Sequence, residues 1–268
     1  MMKLIDSGPV LLSIDDDGLA HLRLNRPDAS NGMDVPFLRA LYDAVMVATG
    51  RPELRTVLLT GEGANFCAGG DVKTFASKGE ALPDYLREAT AWLQNVAQGL
   101  LGLPVPVVAA VHGFAAGGGG LGLVCASDVV IAGESAKFMS GAARVGMAPD
   151  AGSSVTLTQI VGVRKAMEIL LLNPTLTAAD ALEIGLITSV VADVELQAES
   201  LRVARSLAAG APRALGATKR LVWSGLGSRV EAQLPEEART VSELSGTADA
   251  REGLAAVLER RAPTFTGR

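Results

Sequence analysis

The chain has 268 residues, 49% of them apolar but only 4% aromatic, enough for one large domain with a core of Ala, Val and Leu. Its net charge of −5 and pI near 5.2 argue against a nucleic-acid partner, whose binding rests on clustered Lys and Arg. Two cysteines, Cys67 and Cys125, are too few for a disulfide framework and point to reduced thiols and a cytoplasmic location.

The N-terminus reaches Asp6 and Pro9 without a long apolar stretch, so it does not read as a signal peptide. Val10–Ile14 and Leu19–Leu24 alternate around Asp15-Asp16-Asp17-Gly18, a hairpin signature, and Asn25-Arg26-Pro27-Asp28 breaks the second strand. Leu38, Leu41, Val45 and Val47 fall near helical spacing within Val35–Thr49. Residues 56–60 form a buried strand that runs into a first glycine loop, Asn65-Phe66-Cys67-Ala68-Gly69-Gly70-Asp71. A helix over 85–101 ends at Pro104. Val107–Val111 is a second buried strand, followed by Gly113-Phe114-Ala115-Ala116-Gly117-Gly118-Gly119-Gly120-Leu121-Gly122 and a helix from near Gly118. Residues 129–132 and Lys137–Met139 are short strands.

After Asp150 the pattern is helical almost to the end, with a helix start at Thr177-Ala178-Ala179-Asp180 and a stop at Gly185. Residues 186–191 read as a last strand, and the helical stretches beyond 205 are interrupted at Pro212 and Pro235. The expected organisation is an α/β core over 1–205 and a helical region over 206–268. Apolar tail segments, Leu221-Val222-Trp223 and 254–258, are expected to pack on a partner such as another subunit. The stretch 99–126 carries no formal charge and would span a bilayer, but Pro104, Pro106 and four consecutive glycines make it a strand, a loop and a buried helix, with no membrane role.

Glycine lets backbone N–H groups approach a ligand closely, so two such loops can aim two donors at one oxygen, an oxyanion hole. The dipole of a helix starting near Gly118 favours negative charge at the same spot. Residues 117–122 also satisfy the dinucleotide pattern G-x-G-x-x-G, with Glu134 as the ribose ligand. That fingerprint needs its first glycine at the strand end, whereas residues 112–116 intervene. A third reading is helix packing through glycines. Cys67 as a nucleophile lacks a neighbouring histidine, and His21 and His112 read as structural. There is no G-x-S-x-G elbow and no metal-ligand spacing.

Phe66-Cys67-Ala68-Gly69-Gly70-Asp71-Val72-Lys73 resembles the first acyl-CoA loop of the enoyl-CoA hydratase/isomerase (crotonase) superfamily, and 113–128 resembles its second. Leu24-Asn25-Arg26-Pro27, Ala136-Lys137-Phe138, Ala179-Asp180-Ala181-Leu182 with Gly185-Leu186, and Glu252-Gly253 before Arg260-Arg261-Ala262-Pro263 are similar to its landmarks and follow their order. The resemblance covers essentially the whole chain. It implies a spiral of ββα units, a helical C-terminal part that assembles a homotrimer or dimer of trimers, and coenzyme A thioester substrates, with no tightly bound cofactor. It also implies that the N–H groups of Gly70 and Gly119 hold the thioester oxygen, and that Ala68, Gly70, Asp71, Val72, Lys73 and Gly119 line the CoA site.

Hydratases of this family resemble each other in two glutamates. Their positions fall here at Leu121 or Gly122, depending on the direction of counting, and at Ala142. One carboxylate remains, Asp150 in Gly146-Met147-Ala148-Pro149-Asp150, at a position resembling the proton-shuttling aspartate of acyl-CoA isomerases and the nucleophile of 4-chlorobenzoyl-CoA dehalogenases. Its side chain is alternatively a cap for the helix opening at Ala151-Gly152-Ser153-Ser154. The helper histidine of the dehalogenase branch falls at Gln94 and its ring-packing tryptophan at Ala142, with Trp92 near the former. The expectation is an enoyl-CoA isomerase using Asp150, Gly70 and Gly119. The alternatives are a hydratase with atypical acid/base residues, a dehalogenase-like enzyme or thioester hydrolase, and a catalytically silent acyl-CoA-binding trimer.

Overall fold

Apolar runs without alternation build the centre of the computed structural model, which describes residues 1–268. The strands are β1 (Met2–Ile5), β2 (Val10–Ile14), β3 (Leu19–Leu24), β4 (Thr56–Gly61), β5 (Val107–Val111), β6 (Phe114–Ala116), β7 (Val129–Gly133), β8 (Lys137–Met139), β9 (Leu176–Thr177) and β10 (Ser189–Val191). Val57, Leu58 and Leu59 of β4 and all of β5 are buried on both faces, as central parallel strands require. The main sheet runs β1-β2-β3-β4-β5-β7-β10, antiparallel through β3 and parallel from there on. A second sheet, β6-β8-β9, carries the start of the second glycine loop.

The helices are α1 (Val35–Thr49), α2 (Val72–Ser77), α3 (Leu82–Gly102), α4 (Gly117–Cys125), α5 (Ser153–Val161), α6 (Val163–Met167), α7 (Ala178–Glu183), α8 (Leu196–Ala208), α9 (Pro212–Gly225), α10 (Val230–Ser245) and α11 (Ala248–Glu259). One face of the sheet belongs to a core of 47 residues that includes α1, α3 and α4; the other belongs to a layer of 7, where Leu196 and Ala204 of α8 meet Leu58, Val108 and Ile131. The site is therefore built on the thick side.

The β2–β3 hairpin forms as expected. Asp15 Oδ1 accepts from the N–H groups of Asp17 (3.1 Å) and Leu19 (2.9 Å), and Gly18 takes φ +80°. Thr177 and Asp180 cap α7 reciprocally, and Gly185 follows it at φ +74°. Three expectations change. Residues 186–188 are not strand, because the N–H groups of Leu186 and Ile187 both turn back to the Ala181 carbonyl. Leu186 and Ile187 are apolar because they are buried, and this produced the strand-like signal. Pro212 opens α9 rather than interrupting a helix, as Pro does at the first helical position. Pro235 lies inside α10, near its start, where it forfeits one bond to the exposed Glu231 carbonyl. The charge-free stretch divides among α3, β5, β6 and α4, and no helix is long and apolar enough to cross a membrane.

A buried charge pair fastens the C-terminal helices to the core. Lys219 Nζ on α9 lies 2.8 Å from Asp128 Oδ2 and donates to the carbonyls of Leu100 (2.7 Å) and Val105 (3.3 Å). Asp128 also accepts from Val107 N (2.7 Å) and Trp223 Nε1 (3.1 Å). Burial pushes the Lys219 pKa down while Asp128 pulls it up. Such a pair holds because its remaining donors and acceptors are satisfied. Lys219→Ala is expected to cost about 3–5 kcal/mol in urea unfolding, since it strands a buried carboxylate; a loss under about 1 kcal/mol, the value of an exposed pair, would show that the contact is idle.

Candidate active site

The two glycine loops, 45 to 50 residues apart in sequence, are stitched together by backbone bonds. Phe66 N donates to His112 O (2.9 Å), Cys67 N to Phe114 O (3.0 Å) and Ala116 N to Cys67 O (2.9 Å). Their glycines permit backbone to lie on backbone. A Cβ on Gly69 (φ +94°) would stand 2.7 Å from Ala116 O, and one on Gly120 2.3 Å from Cys67 O. The first loop is also braced from the segment between β3 and α1. Asn31, fully buried at φ 54°, donates through Nδ2 toward the carbonyls of Glu62, Asn65 and Phe66 at 2.8–3.0 Å, and its Oδ1 accepts from Arg26 N (2.8 Å).

Met33 fixes the orientation of Gly70. Its N–H donates to Gly69 O (2.7 Å) and its carbonyl accepts from Asp71 N (2.9 Å), so the intervening Gly70 N–H faces away and has no acceptor in the protein. Across from it stands the opening turn of α4, whose N–H groups have no partner inside the helix. Gly70, Gly118 and Gly119 line one cavity of about 600 Å³, a size typical of ligand sites. Its walls are mostly apolar, with Met33, Phe75, Leu86, Leu93, Met139 and Met147 among them; Arg144 and Asp150 are the charged lining residues.

Asp150 lines the same cavity, against the first turn of α4. Its Oδ1 sits only 1.3 Å from where a Cβ on Gly118 would be. Burial raises its pKa above the ordinary carboxylate value, with a bond from its own N–H pulling the other way. Capping of α5 falls to the main chain instead. Ser153 donates to the Asp150 carbonyl through N (2.9 Å) and Oγ (2.6 Å), and the side chain makes no cap. The carboxylate is thus left to the cavity.

The remaining expected positions separate. Ala68 and Val72 line the cavity, while Asp71 and Lys73 do not. Burial pushes the Asp71 pKa up, but the bond from Thr74 N at the start of α2 (3.1 Å) and the Arg26 guanidinium (3.1 Å) outweigh it and hold the carboxyl below its ordinary value. Ala142 lines the cavity, but Leu121 is buried in the core and Gly122 packs against Ala151. Gln94 lies elsewhere, and Trp92 packs beside Tyr42 with Arg39 over its ring. Cys67 is fully buried, its thiol pushed up to about 12, and no nucleophile. His21 and His112 line a separate cavity of about 620 Å³ with β3 and α8, and burial pushes His21 down to about 4. A third cavity, about 1280 Å³, lies against α9 and contains neither glycine loop.

A family model described as enoyl-CoA hydratase/isomerase matches residues 15–268. The chain belongs to the enoyl-CoA hydratase/isomerase (crotonase) superfamily. It is 40% identical, over 94% of its length and 96% of the relative's, to a probable enoyl-CoA hydratase of Rhodobacter capsulatus. It is 35% identical to the 1,2-epoxyphenylacetyl-CoA isomerase of Escherichia coli, covering 96% of this chain and 98% of that one. The solved enoyl-CoA hydratase of Mycobacterium smegmatis superposes with a TM-score of 0.89 at 30% identity, over 97% of this chain and 99% of that one. The expected crotonase fold and acyl-CoA enzyme family are therefore as the resemblance implied.

Sequence reasoning missed Asn31, Met33 and Gly118 in this crotonase site. Asn31 sits in the polar stretch Asp28-Ala29-Ser30-Asn31-Gly32, where it resembles any turn asparagine. A carboxylate whose native pKa exceeds its unfolded value binds its proton more tightly when folded. Stability therefore falls as pH rises from about 3.9 through the raised value, and the penalty is complete once Asp150 is fully ionised. Asp150→Asn is expected to melt higher than the unmodified chain near neutral pH, with the gap closing below about pH 3.9. A gap independent of pH, or a lower melting temperature near neutrality, would contradict the desolvated carboxylate.

Proposed function

We propose that this family member is an enoyl-CoA isomerase in which Asp150 moves one proton along the acyl chain. The observation that carries the reading is the place of Asp150: a desolvated carboxylate, free of capping, in an apolar cavity beside the opening turn of α4. The thioester oxygen would rest on the N–H groups of Gly70 and Gly119, and the CoA portion would pass from Ala68 and Val72 in the cavity to Asp71 and Lys73 outside it. Coenzyme A enters only as part of the substrate.

Asp150 removes a proton from the carbon at one end of the allylic system. The C–H electron pair flows into the conjugated system and leaves a dienolate with its charge on the thioester oxygen. Each backbone donor aimed at that oxygen is worth about 3 kcal/mol in the transition state. The carboxylic acid so formed returns its proton at the other end, the double bond is shifted, and Asp150 is a carboxylate again. The raised pKa suits a group that must both take and give a proton. Hydration needs a water and a second acid/base group. No glutamate lines the cavity, and Arg144 is engaged with the Asn173 carbonyl (2.7 Å).

The test is incorporation of solvent deuterium at the α- or γ-carbon of a bound enoyl-CoA. Asp150→Asn is expected to lower exchange by about 10²–10⁴-fold, the usual contribution of a positioned acid/base, with CoA-thioester binding kept. Absence of exchange in the unmodified protein, across chain lengths and ring substrates, would overturn the isomerase in favour of an acyl-CoA binder.

We further propose a homotrimer or a dimer of trimers. Val163, Met167, Leu171 and Leu172 on and after α6, and Val257 and Leu258 on α11, are exposed in the single chain. Light scattering is expected to give three or six times 27.6 kDa; a stable monomer would contradict the assembly.

A further inference from the structure

Four consecutive glycines open α4 at a cost, because each is a poorer helix former than alanine. Three of them have a reason within the two loops. A Cβ on Gly117, itself at φ +64°, would meet Gly69 Cα at 3.0 Å. On Gly119 it would crowd Gly69 Cα at 3.3 Å, besides the movable Met33 Sδ at 2.6 Å, and on Gly120 it would meet Cys67 O at 2.3 Å. Gly118 differs. Its φ is not in the left-handed region, so its backbone suits any residue, and no loop atom stands against it. All three nearest atoms to its Cβ direction belong to one carboxylate: Asp150 Oδ1 at 1.3 Å, Cγ at 2.5 Å and Oδ2 at 3.0 Å.

We propose that Gly118 is the positioning residue for Asp150: its missing side chain leaves the bed in which the carboxylate lies against the first turn of α4. The backbone of Asp150 is already pinned by Ser153, whose N and Oγ both bond its carbonyl. With the main chain fixed, the space at position 118 sets how far the carboxylate reaches into the cavity. A methyl group there collides with Oδ1 and turns the carboxylate off the helix. The base would then sit away from the Gly70 and Gly119 donors, even though every group that bears charge is still present.

The role in catalysis rests on the isomerase reading, but the placement does not, so the experiment reads both. In Gly118→Ala, the ¹³C chemical shift of the Asp150 carboxyl carbon, assigned by its loss in Asp150→Asn, is followed against pH. Its midpoint is expected to fall toward the ordinary aspartate value as the group leaves its desolvated bed. Deuterium exchange into a bound enoyl-CoA is expected to drop by about 10²-fold, as for a misplacement near 1 Å, with CoA-thioester affinity unchanged. An unmoved midpoint together with unmodified exchange would overturn the proposal. If the unmodified chain exchanges nothing, the isomerase reading fails while the titration still decides the placement. Should Gly118→Ala not fold, Asp150→Glu moves the same carboxylate off Gly118 by one methylene without touching α4. It is expected to give the same downward shift, and a midpoint as high as that of Asp150 would overturn the proposal.

Discussion

The site depends on the backbone pairing of two loops from different parts of the chain. Cys67 exchanges bonds with Phe114 and Ala116, and this bridge joins the end of β4 to the start of α4. Everything chemical hangs from it. It sets the Gly70 N–H, turned outward by Met33, opposite the α4 terminus, and it explains why glycine is needed at 69 and 120, where any Cβ would drive the backbones apart. The main sheet supplies the rigid base, since β4 and β5 are adjacent parallel strands whose ends emerge side by side. Polar side chains then lock the loops. Asn31 reaches the carbonyls of Asn65 and Phe66 in the first loop and of Glu62 just before it, and Asn65 Oδ1 accepts from Phe114 N across to the second (2.9 Å).

Local rules are broken where this geometry demands it. A helix beginning with four glycines and a carboxylate half-buried in an apolar wall are each unfavourable in isolation. The rest of the fold offsets them. Leu121, Leu123 and Val124 sink the remainder of α4 into the main core, and the Lys219–Asp128 pair ties α9 down beneath it. Violations of this kind concentrate at functional sites because a reacting group must be held where its charged form is not at ease.

The elements that position the site were legible because their signals are local. An Asx turn ending in glycine marks the β2–β3 hairpin, unbroken apolar runs mark β4 and β5, and a Thr-x-x-Asp box marks α7. What was not legible depends on partners distant in sequence. β1, β6 and β9 are short strands made by pairing rather than by pattern, and residues 186–188 carry a strand's composition while wrapping the end of α7. Asp71 reads as a ligand in the motif, yet Arg26, 45 residues earlier, occupies it. Gly118 is indistinguishable from its three glycine neighbours in sequence. Only the carboxylate lying on it, 32 residues later, separates its role from theirs. The resemblance to the crotonase superfamily conveyed the fold and singled out the two glycine loops, whereas the freedom of the Asp150 side chain is a property of the folded chain.

In the proposed reaction, one oxygen and one carbon of an acyl thioester lie between the glycine donors and Asp150. The most direct test is a crystal structure with an unreactive enoyl-CoA analogue bound. It should place the thioester oxygen about 2.7–3.1 Å from both the Gly70 and Gly119 nitrogens, and an Asp150 carboxylate oxygen about 3–3.5 Å from the α- or γ-carbon. A thioester oxygen outside the two loops, or an Asp150 carboxylate turned away from the acyl chain, would contradict it.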